Sequence, residues 1–123
     1  MVFRILLVDE SVSIRTRVRQ LLALDLPDAV IEQVGPWDAV DRVERAVWSF
    51  VVMDIGLSTG GGLTLLARLR AANPETAIIV LSSLPVEPYA LEVAKRGARA
   101  YVHKDRASED LVSTLCHLRR TQP

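Results

Sequence analysis

Ile5-Leu6-Leu7-Val8-Asp9-Glu10-Ser11 decides how this chain is read: four apolar residues run straight into two acids and a serine. A short, unbroken apolar run is the pattern of a strand buried on both faces, as in a parallel sheet. Acids placed directly after such a run must leave the core at the strand's carboxyl end. The same punctuation recurs further along. Asp54 ends Phe50-Val51-Val52-Met53, Ser82 ends Ile78-Ile79-Val80-Leu81, and Lys104 closes Tyr101-Val102-His103. In an open parallel sheet, ligands bind outside the carboxyl ends of the strands, where strand order reverses. Three carboxylates, a hydroxyl and an amine at those ends are expected to form one site, suited to a divalent metal and a phosphoryl group.

Working outward, buried strands are expected at 3–8, 29–34, 50–53, 77–81 and 100–102, with helical spacing between them. Ile14, Val18, Leu21, Leu22 and Asp25 trace the first stripe, behind Ser11 or Ser13 as N-cap. Val40, Val43 and Val47 make the second; Leu63, Leu66, Leu69 and Arg70 make the third, closed by Asn73-Pro74. Ala90, Leu91, Ala94 and Gly97 make the fourth, with Pro88 in its first turn and Gly97 as its stop. Leu111, Leu115 and Leu118 carry the fifth, with Ser108 as cap and Glu109 and Asp110 in the first turn. Five βα units give an α/β fold, a doubly wound five-stranded parallel sheet with helices on both faces. The chain reads as one domain over 1–123, without internal repeat or linker; any output module that follows is absent from these residues.

Composition sets the outer limits. With 123 residues, half of them apolar, the chain can bury a core without staples. Lys+Arg equals Asp+Glu at 15 each, which gives no support to direct nucleic-acid binding. One cysteine, Cys116, excludes an internal disulfide and fits a reducing compartment. No stretch reaches the roughly 18 apolar residues of a membrane span, and no signal-peptide layout opens the chain. The expected location is the cytoplasm.

Three carboxylates a few ångströms apart repel unless a cation intervenes. Magnesium is a hard ion with oxygen ligands at about 2.0–2.1 Å, and it commonly takes one or two carboxylates plus phosphate oxygens. Manganese is the alternative. Asp54, alone at the end of the third strand, then becomes the nucleophile of an aspartyl-phosphate. Lys104 and the metal offset charge on the transferring group, and Ser82 supplies a hydroxyl to it.

This joint pattern resembles the receiver domain of two-component response regulators, from Phe3 to about Leu118. The matching stretches are the opening run, Val51-Val52-Met53-Asp54-Ile55, Ile79-Val80-Leu81-Ser82-Ser83 and Gly97-Ala98-Arg99-Ala100-Tyr101-Val102-His103-Lys104. The resemblance implies a flavodoxin-like (βα)5 sheet in strand order 2-1-3-4-5. It implies phosphorylation of Asp54 by a sensor histidine kinase or phosphotransfer protein, with Asp9, Glu10, Asp54 and the backbone carbonyl of Gly56 as magnesium ligands. Ser82 becomes the switch hydroxyl and Tyr101 the aromatic that responds to it. The output surface is the fourth helix, fifth strand and fifth helix, through which a phosphorylation-dependent homodimer is expected. The only enzyme-like chemistry implied is self-phosphorylation and self-dephosphorylation at Asp54.

The chain departs from the pattern in places. Where receivers commonly carry proline, then Asp-Gly, it has Ser58, Gly61 and Gly62 within a glycine-rich run expected to be loose. Asp105 stands where many receivers have proline. Lys104-Asp105, Asn73-Pro74-Glu75-Thr76 and Gly97-Ala98-Arg99 resemble receivers that precede LuxR-type helix-turn-helix output domains, so the regulatory half of a transcription factor is the alternative reading. A magnesium-dependent phosphatase is a further one.

Other signals are weaker. Gly60-x-Gly62 follows the wrong strand for a phosphate loop and lacks Gly-Lys-Ser/Thr. His103 and His117 have no partner at metal spacing and read as surface or packing residues. Trp37 and Trp48 bracket the second helix and are expected to cap the core. Arg15, Arg17 and Arg19 are expected to solvate the first helix.

Overall fold

In the computed structural model, which describes residues 3–121, the alternation of runs becomes five parallel strands and five helices. The strands are β1 (Arg4–Val8), β2 (Val30–Val34), β3 (Phe50–Met53), β4 (Ala77–Ser82) and β5 (Ala100–His103). The helices are α1 (Val12–Asp25), α2 (Ala39–Arg45), α3 (Gly62–Ala72), α4 (Val86–Lys95) and α5 (Ala107–Thr121). Residues 1–2 and 122–123 of the expected domain lie outside the described residues.

The sheet runs β2-β1-β3-β4-β5, all parallel. Chain order and sheet order part at β1, which pairs with β2 on one side and β3 on the other. Side chains alternate across a strand, and the core divides accordingly. Leu6, Val8, Val51, Met53, Ile78 and Val80 pack toward Val43, Leu66, Leu69 and Val93 of α2, α3 and α4. Ile5, Leu7, Val52, Ile79, Leu81 and Val102 pack toward Leu22 of α1 and Leu111 and Leu115 of α5. Phe3 and Phe50 meet edge to face at 5.2 Å in that second layer. β1, β3 and β4 are coated on both faces, which is why their apolar runs show no polar alternation, whereas the edge strand β2 carries Glu32 and Gln33 and leaves Val30 exposed.

Local signals act largely as expected. Ser11 caps α1, its Oγ accepting the Ile14 N–H at 3.2 Å. Gly97 takes φ +96° just past α4, a conformation that other residues enter at a cost. Gly60 and Gly61 have φ +78° and +84°, and a Cβ on Gly62 would stand 1.8 Å from the Ile55 carbonyl oxygen. The glycine run is thus not merely loose: it turns the chain and lets α3 begin against the β3 exit.

Several expectations are corrected. Ser82 is the last residue of β4, not the one after it. α2 stops at Arg45, leaving Val47 outside it and exposed. On α4 the buried residue is Val93, whereas Ala94 and Leu91 face solvent, Leu91 at 62 % exposure. Asp25 is exposed too. Ser108 does not cap α5; a 3-10 turn over Lys104–Arg106 leads into it, capped by His103, whose Nδ1 accepts the Asp105 N–H at 3.1 Å. Trp48 is buried, with its Nε1 donating to the Arg42 carbonyl at 3.0 Å, but Trp37 is 74 % exposed and caps nothing. The sequence leaves the peptide at Lys104–Asp105 open, and it is trans; the cis peptide among the described residues is Glu87–Pro88. No helix among the described residues is long and apolar enough to cross a membrane.

Candidate functional site

The register brings the carboxyl ends of β1 and β3 side by side. Val8 pairs with Met53, and the Asp54 N–H donates to the Val8 carbonyl at 3.1 Å. Asp9 and Asp54 therefore leave adjacent strands at the point where strand order reverses, the crevice position of this class of sheet. β5 delivers Lys104 from two strands away. Its Nζ donates to Asp54 Oδ2 at 2.7 Å and to Asp9 Oδ2 at 3.1 Å. Asp54 is buried, with 8 % of its surface exposed.

The other carboxylate oxygens are also engaged. Asp54 Oδ1 accepts the Gly56 N–H at 2.8 Å, and Asp9 Oδ1 accepts the Ser11 N–H at 2.9 Å. Below them, Arg15 Nη1 donates to the Asp9 carbonyl at 2.6 Å. Arg15 thus supports the β1–α1 loop, where the sequence suggests only a solvated helix face; Arg17 and Arg19 are exposed as expected.

These contacts set the charge states. Burial pushes the Asp54 carboxyl up, but the Lys104 ammonium and the Gly56 N–H together outweigh it and hold the carboxyl below its ordinary value of 3.8. Burial alone depresses the Lys104 amine, yet Asp54 and Asp9 hold it above 10.5. Asp54 is therefore ionised at neutral pH and Lys104 charged.

Glu10 stands apart. Its carboxylate turns across to the β3–α3 loop, where Oε1 accepts the Ser58 N–H at 2.5 Å and Oε2 accepts the Ser58 hydroxyl at 2.7 Å. Among the described residues, no three Asp, Glu, His or Cys side chains converge as a metal cluster. The pair Asp9–Asp54 still suits a hard divalent cation. It offers carboxylate oxygens only, and its two negative charges face a single ammonium, leaving one charge uncompensated.

The hydroxyl lies one strand over from β3, on β4, and the aromatic two strands over, on β5. Ser82 is buried, and its Oγ accepts the Leu84 N–H at 3.3 Å. Tyr101 is half-buried against the core, and its hydroxyl donates to the Leu84 carbonyl. Burial, reinforced by the Asp54 charge, holds the Tyr101 phenol above its ordinary value. A Cβ placed on Gly56 would sit 3.3 Å from Asp54 Oδ1, 3.6 Å from Ser82 Oγ and 3.7 Å from Leu84 Cγ, so Gly56 and Leu84 wall the site. The structure therefore gathers Asp9, Asp54, Lys104 and Gly56, with Ser82 and Tyr101 adjoining, and holds Glu10 aside. Sequence reading missed Ser58 as the partner of Glu10, a contact 48 positions apart that no spacing rule signals, and gave Arg15, six positions past Asp9, only a solvating role.

Paired acids and a lysine thus converge at the switch point of a five-stranded parallel sheet in the order 2-1-3-4-5, a flavodoxin-like α/β fold. Residues 5–116 match the response regulator receiver domain family, and the chain belongs to that family. It is 31 % identical over 121 residues to the transcriptional regulatory protein ZraR of Salmonella typhimurium, covering 95 % of this chain and 27 % of that protein. It is 30 % identical over 113 residues to the nitrate/nitrite response regulator NarL of Escherichia coli K12, covering 90 % of this chain and 52 % of that one. The chain thus spans between about a quarter and a half of these relatives. Among solved structures it is similar to the signal receiver domain of a DNA-binding response regulator from Colwellia psychrerythraea, with TM-score 0.86 and 20 % identity over 97 % of this chain and 99 % of that one. The RcsB response regulator of Salmonella typhimurium superposes with TM-score 0.82 at 19 % identity, over 98 % and 61 % of the two chains.

Proposed function

We propose that Asp54 is the residue this receiver phosphorylates, taking the group from a sensor histidine kinase or phosphotransfer protein in the cytoplasm. The observation that carries the proposal is the Lys104–Asp54 contact of 2.7 Å, formed at the strand-order reversal by residues 50 positions apart. It keeps the Asp54 carboxylate ionised, buried and aimed at the crevice. From phosphohistidine, an Asp54 oxygen forms the new O–P bond as the P–N bond breaks. The electron pair leaves with the imidazole, which takes up a proton. Lys104, already charged, then has a phosphoryl oxygen to pair with as well as the carboxylates. Ser82 Oγ accepts the Leu84 amide and keeps its own O–H free, so it donates that hydroxyl to a second phosphoryl oxygen.

Magnesium, or manganese in its place, would be held by Asp9, Asp54 and the Gly56 carbonyl, with Glu10 drawn in from Ser58. Its chemistry there is charge neutralisation of the phosphoryl oxygens. Output is assigned to the α4–β5–α5 face, where Val86 and Leu91 are exposed, and includes a homodimer that phosphorylation strengthens.

The relatives named as transcriptional and nitrate/nitrite regulators are longer than this chain. They favour a second reading of the output, in which this receiver is the regulatory half of a DNA-binding regulator and does not touch DNA itself. Titration with beryllofluoride, a phosphoryl mimic, tests the shared core of both readings. Saturable binding is expected only with magnesium present, and Asp54→Asn is expected to abolish it; binding without magnesium, or surviving the substitution, contradicts the assignment.

A further inference from the structure

We propose that Ser58 sets this receiver's affinity for its divalent cation by sequestering Glu10, so that cation binding and release of the β3–α3 loop are one coupled event. The inference rests on the reading of Asp9, Glu10 and Asp54 as the cation's carboxylates. Both Glu10 oxygens are engaged by one residue, the amide at 2.5 Å and the hydroxyl at 2.7 Å. Hydrogen bonds to an ionised acceptor are the stronger kind. A carboxylate held this way is turned from Asp9, its neighbour in sequence, and from the crevice.

An ordinary surface hydrogen bond would have no further consequence, but this one joins two loops with different tasks. Glu10 continues the strand exit that carries Asp9, whose other contacts are Lys104 and the Ser11 amide. Ser58 opens the segment that leads through Gly60 and Gly61, both at positive φ, into α3. That segment has the backbone freedom to move once Glu10 lets go. The sequence explains why the contact exists in this chain. A proline at position 58 has neither an N–H nor a hydroxyl, so it offers Glu10 nothing. Serine supplies both donors. Because binding linkage is reciprocal, a latch that weakens the cation must be weakened by it in equal measure.

Isothermal titration with magnesium chloride tests this on the wild type, Ser58→Ala and Ser58→Pro, each checked for folding by circular dichroism. Ser58→Ala is expected to bind magnesium about three- to tenfold more tightly, the factor of one net hydrogen bond, and Ser58→Pro at least as tightly as Ser58→Ala. Amide hydrogen exchange gives a second readout: magnesium is expected to speed exchange at Ser58 in the wild type. Equal or weaker binding by a folded Ser58→Ala, or a Ser58 amide that magnesium leaves protected, overturns the latch. If wild-type binding is lost in Asp9→Asn while Ser58→Ala is unchanged, the latch alone fails. If the wild type binds no magnesium, the latch and the reading beneath it fail together.

Discussion

Ser82 and Tyr101 hold opposite ends of one residue: Ser82 Oγ accepts the Leu84 N–H, and the Tyr101 hydroxyl donates to the Leu84 carbonyl. Ser82 and Tyr101, proposed as the switch hydroxyl and its responding aromatic, are thus joined through a single piece of backbone in the β4–α4 turn. Any turn of Ser82 toward a phosphoryl group moves the oxygen that the Leu84 amide is bonded to, and through Leu84 it reaches the partner of the Tyr101 hydroxyl. Closely packed elements shift between discrete arrangements rather than yielding gradually.

This coupling gives a first prediction. Self-association measured by sedimentation is expected to strengthen on adding beryllofluoride and magnesium to the wild type. Ser82→Ala should leave magnesium affinity intact yet lose most of that gain. Tyr101→Phe, which keeps the ring and removes the tie to Leu84, should be destabilised by about 1 kcal/mol and show a weaker gain. Equal self-association in the presence and absence of beryllofluoride would mark the α4–β5–α5 face as a constitutive contact.

The Asp54–Lys104 pair makes stability depend on pH in a defined direction. Asp54 lies below its ordinary 3.8, so its contribution is present above that value and is lost as pH falls through the lowered one. Lys104 lies above 10.5, so its contribution is present below that value and is lost as pH rises through the raised one. In Lys104→Met, Asp9 and Asp54 face each other without the ammonium, and protonation relieves them. Denaturant unfolding should show a loss of about 1–3 kcal/mol near neutral pH. The gap to wild type should close toward about pH 3, below the ordinary Asp value. A gap that stays constant or widens on acidification would contradict the ion-pair assignment.

The walls of the site bear on how long a phosphoryl group lasts. Gly56 offers no side chain, and Leu84 offers bulk without a hydrogen bond, its Cγ lying 3.7 Å from where a Gly56 Cβ would stand. Neither residue orients an attacking water. Slow self-dephosphorylation is expected, and a Gly56→Asn/Leu84→Glu variant should lose the group on the order of tenfold faster, since placed polar groups assist water attack. Decay of the wild type as fast as that of the variant would refute the argument from these two side chains.

The sheet was legible because its central strands are buried on both faces. Ile5–Val8, Phe50–Met53 and Ile78–Leu81 read as short apolar runs, the pattern of a coated parallel sheet, and their regular alternation with helical spacing selects that fold. Helix faces were less so. A stripe drawn through Leu91 and Ala94 is one step in rotation from the face that buries Val93, and sequence spacing alone does not choose between them. Ser108 looks like a cap by residue type, but the 3-10 turn over Lys104–Arg106 already leads into the helix, and its cap is a histidine, His103, which is not among the residue types that usually signal one. In the site, Asp9, Asp54 and Lys104 were readable as strand ends. The turn of Glu10 toward Ser58 was not, since both residues are compatible with a solvent-facing loop and only the fold brings them together.

Mapping the modified residue tests the central claim most directly. The protein is incubated with acetyl phosphate and magnesium, its mass is measured intact, and borohydride reduction converts any aspartyl phosphate to a stable mark that peptide sequencing locates. A single added phosphoryl group is expected, the mark is expected at Asp54, and Asp54→Asn should show neither. Labelling that persists in Asp54→Asn at wild-type level, or a mark found at Asp9 or Glu10 instead, would contradict it.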